Sequence, residues 1–244
     1  MIMFELVNVS KSFAIHKSNR FTAVSDVTLN LRQGEITVLK GPSGSGKTTL
    51  LSLLGCMARP TSGRIRLHGI KDSVIFDAVP QGGIDISSLP DRFLTQLRRL
   101  NFGFIFQQFN LVRGISVLEN VMLPAAPTGV SGNACKMRAL ELLETFNIAR
   151  HASSRVEWLS GGELQRVAIV RSLINDPCVI VADEPTAHLD STLSEDFMDI
   201  VATFKEAGKT VVIASHDPIV YGADVVDTVL EMRDGRIVGA EWVQ

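Results

Sequence analysis

GPSGSGKT, residues 41 to 48, is a stretch whose residue types and spacing can do chemistry. It satisfies G-x-x-x-x-G-K-[ST], a pattern in which successive backbone N–H groups wrap phosphates and glycines permit their close approach. Gly41, Pro42, Ser43, Gly44, Ser45 and Gly46 form the cradle; Lys47 reaches the β- and γ-phosphates, and the Thr48 hydroxyl takes a Mg²⁺ position. The plain alternative is a flexible Gly-Ser loop. The four fixed positions arise by chance in such a length on the order of once in a hundred, so nucleotide binding is the stronger reading.

Adjacent carboxylates come next. VIVADEP, residues 179 to 185, runs four apolar residues into Asp183 and Glu184. Delivering two charges to the end of a buried strand needs a partner for them. Mg²⁺ supplies one for Asp183, while Glu184 is placed to polarise an attacking water. An Asp-Glu pair on a surface turn is commoner, but other strand ends point the same way. FGFIF ends at Gln107 and VVIA ends at Ser215-His216. In open parallel sheets ligands bind outside the carboxyl ends of the strands, so these ends can converge on one nucleotide. There Gln107 can orient water or touch Mg²⁺, and His216 can bond the γ-phosphate or the water. Alone, His216 reads as a satisfied structural histidine, and His16, His68, His151 and His188 read as surface or turn residues.

LSGGELQRVAIVRSL, residues 159 to 173, holds a second Ser-Gly-Gly before a helix-forming run. Ser160 with Glu163 three residues on is a capping-box pattern. A helix so capped begins with free N–H groups and a positive dipole end, suited to an anion.

The elements that position these residues alternate. Phe4 to Val9 and Ala23 to Leu31 read as strands, ITVLK (36 to 40) as a buried strand, and KTTLLSLLGCM as a helix ending near Gly55. GRIRLHG reads as an edge strand, KDSVIFDAVPQGGID (71 to 85) as a loop or small hairpin, and residues 92 to 100 as a helix. From about 115 to 155 the pattern is helical, with Met137, Leu140, Leu143 and Phe146 forming a core-facing stripe. VIVA, a helix over 193 to 204, VVIA, and a hairpin about Asp234-Gly235 complete the chain. Strand, helix, strand means a parallel sheet with crossovers.

Composition narrows the partners. The 244 residues are 45% hydrophobic and 20% charged, which is globular. With 24 Lys and Arg against 26 Asp and Glu, the net charge of −2 gives no basic excess for nucleic acid. Cys56, Cys135 and Cys178 lack metal-site or disulfide spacing. MIMFELVNVSKSF lacks a signal pattern, and no apolar run approaches the ~18 residues of a membrane helix. A cytosolic chain is expected, unless a partner holds it at a membrane.

GPSGSGKTT, Gln107, LSGGELQRVAIVRSL, VIVADEP, HLD and His216, in this order, resemble the nucleotide-binding subunit of an ABC transporter over essentially the whole chain. FGFIFQQFNL and GISVLENVMLP are similar, more narrowly, to the lipoprotein-releasing, macrolide-exporting and FtsE-like ATPases. The resemblance implies an α/β fold: a P-loop NTPase, RecA-like core with a mostly parallel sheet, an N-terminal antiparallel β subdomain and an inserted α-helical subdomain. It implies a single domain over 1–244, with 1–106 and 160–244 as core plus β subdomain and about 107–159 as the helical part.

It further implies a homodimer sandwiching two Mg-ATP, in which Ser160, Gly161, Gly162 and Glu163 serve the ATP bound by the other copy. Thr49 joins the phosphate-binding residues, and Phe13 stands where the family stacks an aromatic ring on adenine. Asp190, after Leu189, resembles the loop crossing between subunits, although Ala187-His188 replaces the Gly-Asn expected there. The implied activity is ATP hydrolysis driving a separately encoded permease, with the ATPase peripheral on the cytoplasmic face of the inner membrane and no direct contact with cargo. Two other readings share these motifs: an FtsE-like regulator of an envelope enzyme, and a soluble ABC ATPase of DNA repair or translation. The second fits poorly with one cassette, no heptads and no basic excess.

Overall fold

The computed structural model describes residues 1–16, 19–70 and 82–242. In chain order the elements are β1 (Ile2–His16), β2 (Asn19–Arg32), β3 (Ile36–Lys40), α1 (Lys47–Leu54), β4 (Ser62–Leu67), β5 (Ile84–Asp85), α2 (Asp91–Asn101) and β6 (Phe102–Phe106). There follow α3 (Val117–Met122), α4 (Gly132–Thr145), α5 (Gly161–Leu173), β7 (Val179–Asp183), α6 (Ser191–Glu206), β8 (Thr210–Ser215), α7 (Pro218–Tyr221), β9 (Thr228–Arg233) and β10 (Arg236–Trp242). Among the described residues no helix is long and apolar enough to cross a membrane.

Two sheets organise them. The six-stranded sheet runs β10-β9-β3-β8-β7-β6, with β9, β3, β8, β7 and β6 mutually parallel and β10 antiparallel at one edge. Its inner strands β3, β7 and β8 are buried almost throughout, which is why they read as unbroken apolar runs rather than alternating ones. Helices α1 and α6 cover opposite faces: Leu50, Leu51, Leu53 and Leu54 join one core, Phe197, Met198, Val201 and Phe204 the other. Each such side chain contributes about 1.5–3 kcal/mol by leaving water.

The antiparallel sheet, β2-β1-β4-β5, packs its inner face on the α1 side of the same core. Here the structure corrects one expectation: β4 is not an edge strand but lies between β1 and the two-residue β5. Residues 71–81 of the expected loop or hairpin lie outside the described residues. Helices α3, α4 and one side of α5 build a third core around Val117, Val121, Ala139, Leu143 and Val170. A second correction falls here. Met137 is 61% exposed, and the buried face of α4 is Cys135, Ala139 and Leu143, the first two small enough to let it sit close to its neighbours. Leu140 and Phe146 are half-buried at its margin.

Candidate nucleotide site

The phosphate loop joins β3 to α1. At Gly46 the backbone has φ 103°, and a Cβ there would collide with the Ala23 carbonyl of β2. Glycine is therefore required for the turn that starts α1 with its N–H groups facing the loop. A Cβ on Gly41 would likewise strike the Met232 carbonyl. Two further bonds brace the loop from outside: Gly235 N–H donates to the Ser45 carbonyl (2.9 Å), and Ser25 N–H donates to the Gly235 carbonyl (2.8 Å).

A cavity of about 410 Å³ opens over this loop. Its wall runs from Pro42 to Thr49 and includes Gln107, Glu184 and His216, so the carboxyl ends of β3, β6, β7 and β8 do converge. Lys47 is buried, with its ammonium donating to the Gly41 (2.6 Å) and Pro42 (3.2 Å) carbonyls. The same Nζ lies 3.2 Å from Glu184 Oε1. The other Glu184 oxygen is 2.8 Å from His216 Nδ1. Glu184 holds this bridging position with φ 45°, an unfavourable conformation for a non-glycine residue that places its side chain between Lys47 and His216.

Beside it, Thr48 Oγ donates to Asp183 Oδ1 at 3.0 Å. Burial pushes the Asp183 carboxyl above the usual carboxylate range; the Thr48 hydrogen bond opposes this and the Glu184 charge adds to it. The Ser45 hydroxyl is buried without a hydrogen-bond partner inside the loop. An anion with several acceptor oxygens fits this cradle, supplying partners for the Ser45 hydroxyl, the loop N–H groups and Lys47. Oxygen donors from Thr48 and Asp183, 3.0 Å apart, fit a Mg²⁺ ion.

Other residues singled out in the sequence lie elsewhere. Phe13 is directly opposite Phe21 in the β1–β2 register, and it is Phe21, not Phe13, that lines the cavity. The ladder signal for Phe21 was present: two aromatic residues flanking one hairpin end share a face. Ser160, Gly161 and Gly162 start α5 outside the cavity wall. There the Ser160 N–H (2.9 Å) and hydroxyl (2.8 Å) both donate to Glu163 Oε2, the carboxylate half of the expected capping box. These bonds, with Arg150 and His151 adding to them, hold the Glu163 carboxyl down at about 2. Asp190 caps α6, accepting from Leu193 N–H at 2.9 Å. Asp217, whose place before Pro218 is a helix-start signal, caps α7 and takes the Thr186 hydroxyl at 2.8 Å, tying the segment after β8 to the segment after β7.

A strand, a glycine-rich loop opening a helix, and an acidic residue pair at the end of a second parallel strand define a P-loop nucleoside-triphosphatase. The ABC transporter family matches residues 24–187, and the chain belongs to it. It is an ATP-hydrolysing cassette of that family. It is 38% identical over 242 residues to an uncharacterised ABC transporter ATP-binding protein of Thermotoga maritima, covering 98% of this chain and 95% of that one. It is 38% identical over 236 residues to the macrolide export ATP-binding/permease protein MacB of Salmonella choleraesuis, 97% of this chain but 34% of MacB. The post-hydrolysis dimer of the ATP-binding cassette MJ0796, bound to ADP and phosphate, superposes with a TM-score of 0.84 at 36% identity, covering 99% of both chains.

Proposed function

We propose that two copies of this chain close around two Mg-ATP and drive a separate membrane permease that exports or extrudes a substrate, the ATPase sitting at the cytoplasmic face of the membrane. One observation carries the reading: the cavity gathers Lys47, Gln107, Glu184 and His216, while the Ser160-Gly161-Gly162 helix start stands outside it, as a site for another copy's phosphates requires. The dimer of MJ0796 and the fused permease of MacB support it.

In this mechanism the loop N–H groups and Lys47 grip the β- and γ-phosphates. Binding draws Lys47 off Glu184, leaving Oε1 to take a proton from water while His216 keeps Oε2 in place. Thr48, Asp183 and Gln107 would hold Mg²⁺, which offsets charge developing on the phosphate oxygens. Phe21, with Phe13 beside it, offers the base an aromatic face. Ser160, Gly161 and Gly162, with Glu163 holding the Ser160 side chain, complete the second copy's site, and Asp190 fixes the start of α6 where the crossing loop ends.

Motion leaves through the unit built on α3 and α4. Arg171 of α5 donates to the Phe109 carbonyl (2.7 Å) and to the Asn110 carbonyl (2.5 Å), so the segment after Gln107 moves with the helix that Ser160 begins. A groove of about 380 Å³ lined by Phe109, Leu111, Arg113, Val156 and Leu159 receives the permease. The test is Glu184→Gln with light scattering, with and without Mg-ATP: an ATP-dependent doubling of mass is expected, and a monomer under both conditions refutes the sandwich. Co-purification of a membrane protein in near-equal amount tests the permease; its absence from gently solubilised membranes refutes that half.

A further inference from the structure

The Ser160 hydroxyl has one proton, and Glu163 takes it. Glu163 Oε2 accepts both from the Ser160 backbone (2.9 Å) and from its hydroxyl (2.8 Å). An ionised carboxylate only accepts, so the bond has one direction: the hydroxyl hydrogen points to Glu163, within a capping box that turns the Ser160 side chain toward the start of α5. A phosphate oxygen arriving there meets a hydroxyl whose proton is already committed. For Ser160 to donate to phosphate, the hydroxyl must first leave Glu163.

How firmly Glu163 holds that proton depends on its other oxygen. Oε1 accepts from Arg150 Nη2 at 3.0 Å and lies 2.9 Å from His151 Nε2. Arg150 Nε also donates to His151 Nε2 at 3.0 Å. One ring nitrogen cannot accept from Arg150 and donate to Glu163 at once, so Arg150 is the constant brace and His151 the variable one. Charge drawn from the carboxylate toward Arg150 makes Oε2 a weaker acceptor for Ser160. The Glu163 side chain is 13% exposed and that of Arg150 73%, so the inner bond is shielded and the outer one partly screened.

We propose that Glu163, braced by Arg150 and His151, is a positioning residue: it competes with the partner copy's γ-phosphate for the Ser160 hydroxyl proton and thereby sets the ATP concentration at which two copies close. This rests on the reading that Ser160 meets the partner's nucleotide. Glu163→Gln keeps a capping side chain but replaces a charged acceptor with a neutral one, so closure comes at lower ATP. Arg150→Ala leaves the carboxylate a stronger acceptor, so closure needs more ATP. The two variants move in opposite directions, which a purely structural cap does not do.

The measurement is mass by light scattering across an ATP titration with Mg²⁺, in full-length chains carrying Glu184→Gln, with single-copy ATP binding followed separately by a fluorescent ATP analogue. Glu163→Gln should lower the half-closure concentration roughly five-fold, reflecting loss of a charge-assisted bond. Arg150→Ala should raise it about two- to three-fold, as for an exposed ion pair, and Arg150→Lys should restore it. Affinity of the single copy for the analogue should not move. Ser160→Ala separates the two ideas. If it weakens closure while Glu163→Gln and Arg150→Ala shift together or not at all, the latch is refuted and the sandwich stands. If Ser160→Ala changes nothing, the sandwich reading fails and the latch with it.

Discussion

Glu184→Gln perturbs the resting site as well as hydrolysis, and the geometry sets the size of both effects. Lys47 Nζ and Glu184 Oε1 are 3.2 Å apart, with side chains 6% and 15% exposed. At an effective dielectric near 20 the gross attraction is about 5 kcal/mol, and desolvating both groups offsets most of it. Glutamine still offers Lys47 a carbonyl oxygen, and the Gly41 and Pro42 carbonyls remain, so the net loss is about 1–2 kcal/mol. In a chain of 244 residues that lowers Tm by about 2–4 °C. Turnover should fall by roughly 10²- to 10⁴-fold with loss of the base. The assay is thermal unfolding of wild type and variant, without nucleotide and with saturating Mg-ADP. Phosphates replace Glu184 as the counter-charge of Lys47, so the gap should nearly close with ADP. An equal drop in both conditions, or none without nucleotide, refutes the claim that the resting ion pair is exchanged for phosphate.

Asp183→Asn should act in the opposite sense on stability. The raised Asp183 carboxyl means that the folded chain holds this proton more tightly than the unfolded one, so stability falls as pH rises through the folded value. Removing the carboxylate should raise the nucleotide-free Tm at pH 7 by about 2 °C, the gain vanishing once pH falls below the ordinary carboxylate range, while Mg²⁺-dependent turnover is lost; both are read from melting curves and phosphate release. Phe21→Ala should raise the KM for ATP roughly five-fold while leaving inhibition by tripolyphosphate unchanged. Phe13→Ala should do less, since its ring is not on the cavity wall.

Legibility followed burial. Strands β3 and β6 have the limits read from the sequence because a strand covered on both faces has no polar position to blur its ends. The long hairpin β1–β2 was seen as two shorter strands, since its register shifts several times and Asn8 and Asp26 sit at positive φ, breaking the alternation. Of the α4 stripe, Leu143 is buried and Leu140 and Phe146 pack at the core's margin, whereas Met137 faces outward because the small Cys135 and Ala139 make the close contact. The convergence of Lys47, Thr48, Gln107, Glu184 and His216 on one cavity was legible because the order of parallel strands alone brings their carboxyl ends together. The Arg150–His151–Glu163 contact was not, and His151 read as an ordinary surface residue. Nothing in the spacing of 150, 151 and 163 announces that a short turn folds back onto the start of α5.

The bracing of the phosphate loop by Ala23, Ser25 and Gly235 bears on how the protein is made. Every residue proposed to grip nucleotide has been synthesised by His216, yet β3 still lacks its neighbour β9. Until Thr228–Trp242 emerges, β3 is a bare edge, and the Ser45 carbonyl has no Gly235 N–H to hold it. A nascent chain with every motif exposed is thus a poor nucleotide binder and a sticky one. Competence waits on a hairpin that follows every motif in the chain and braces the phosphate loop from outside.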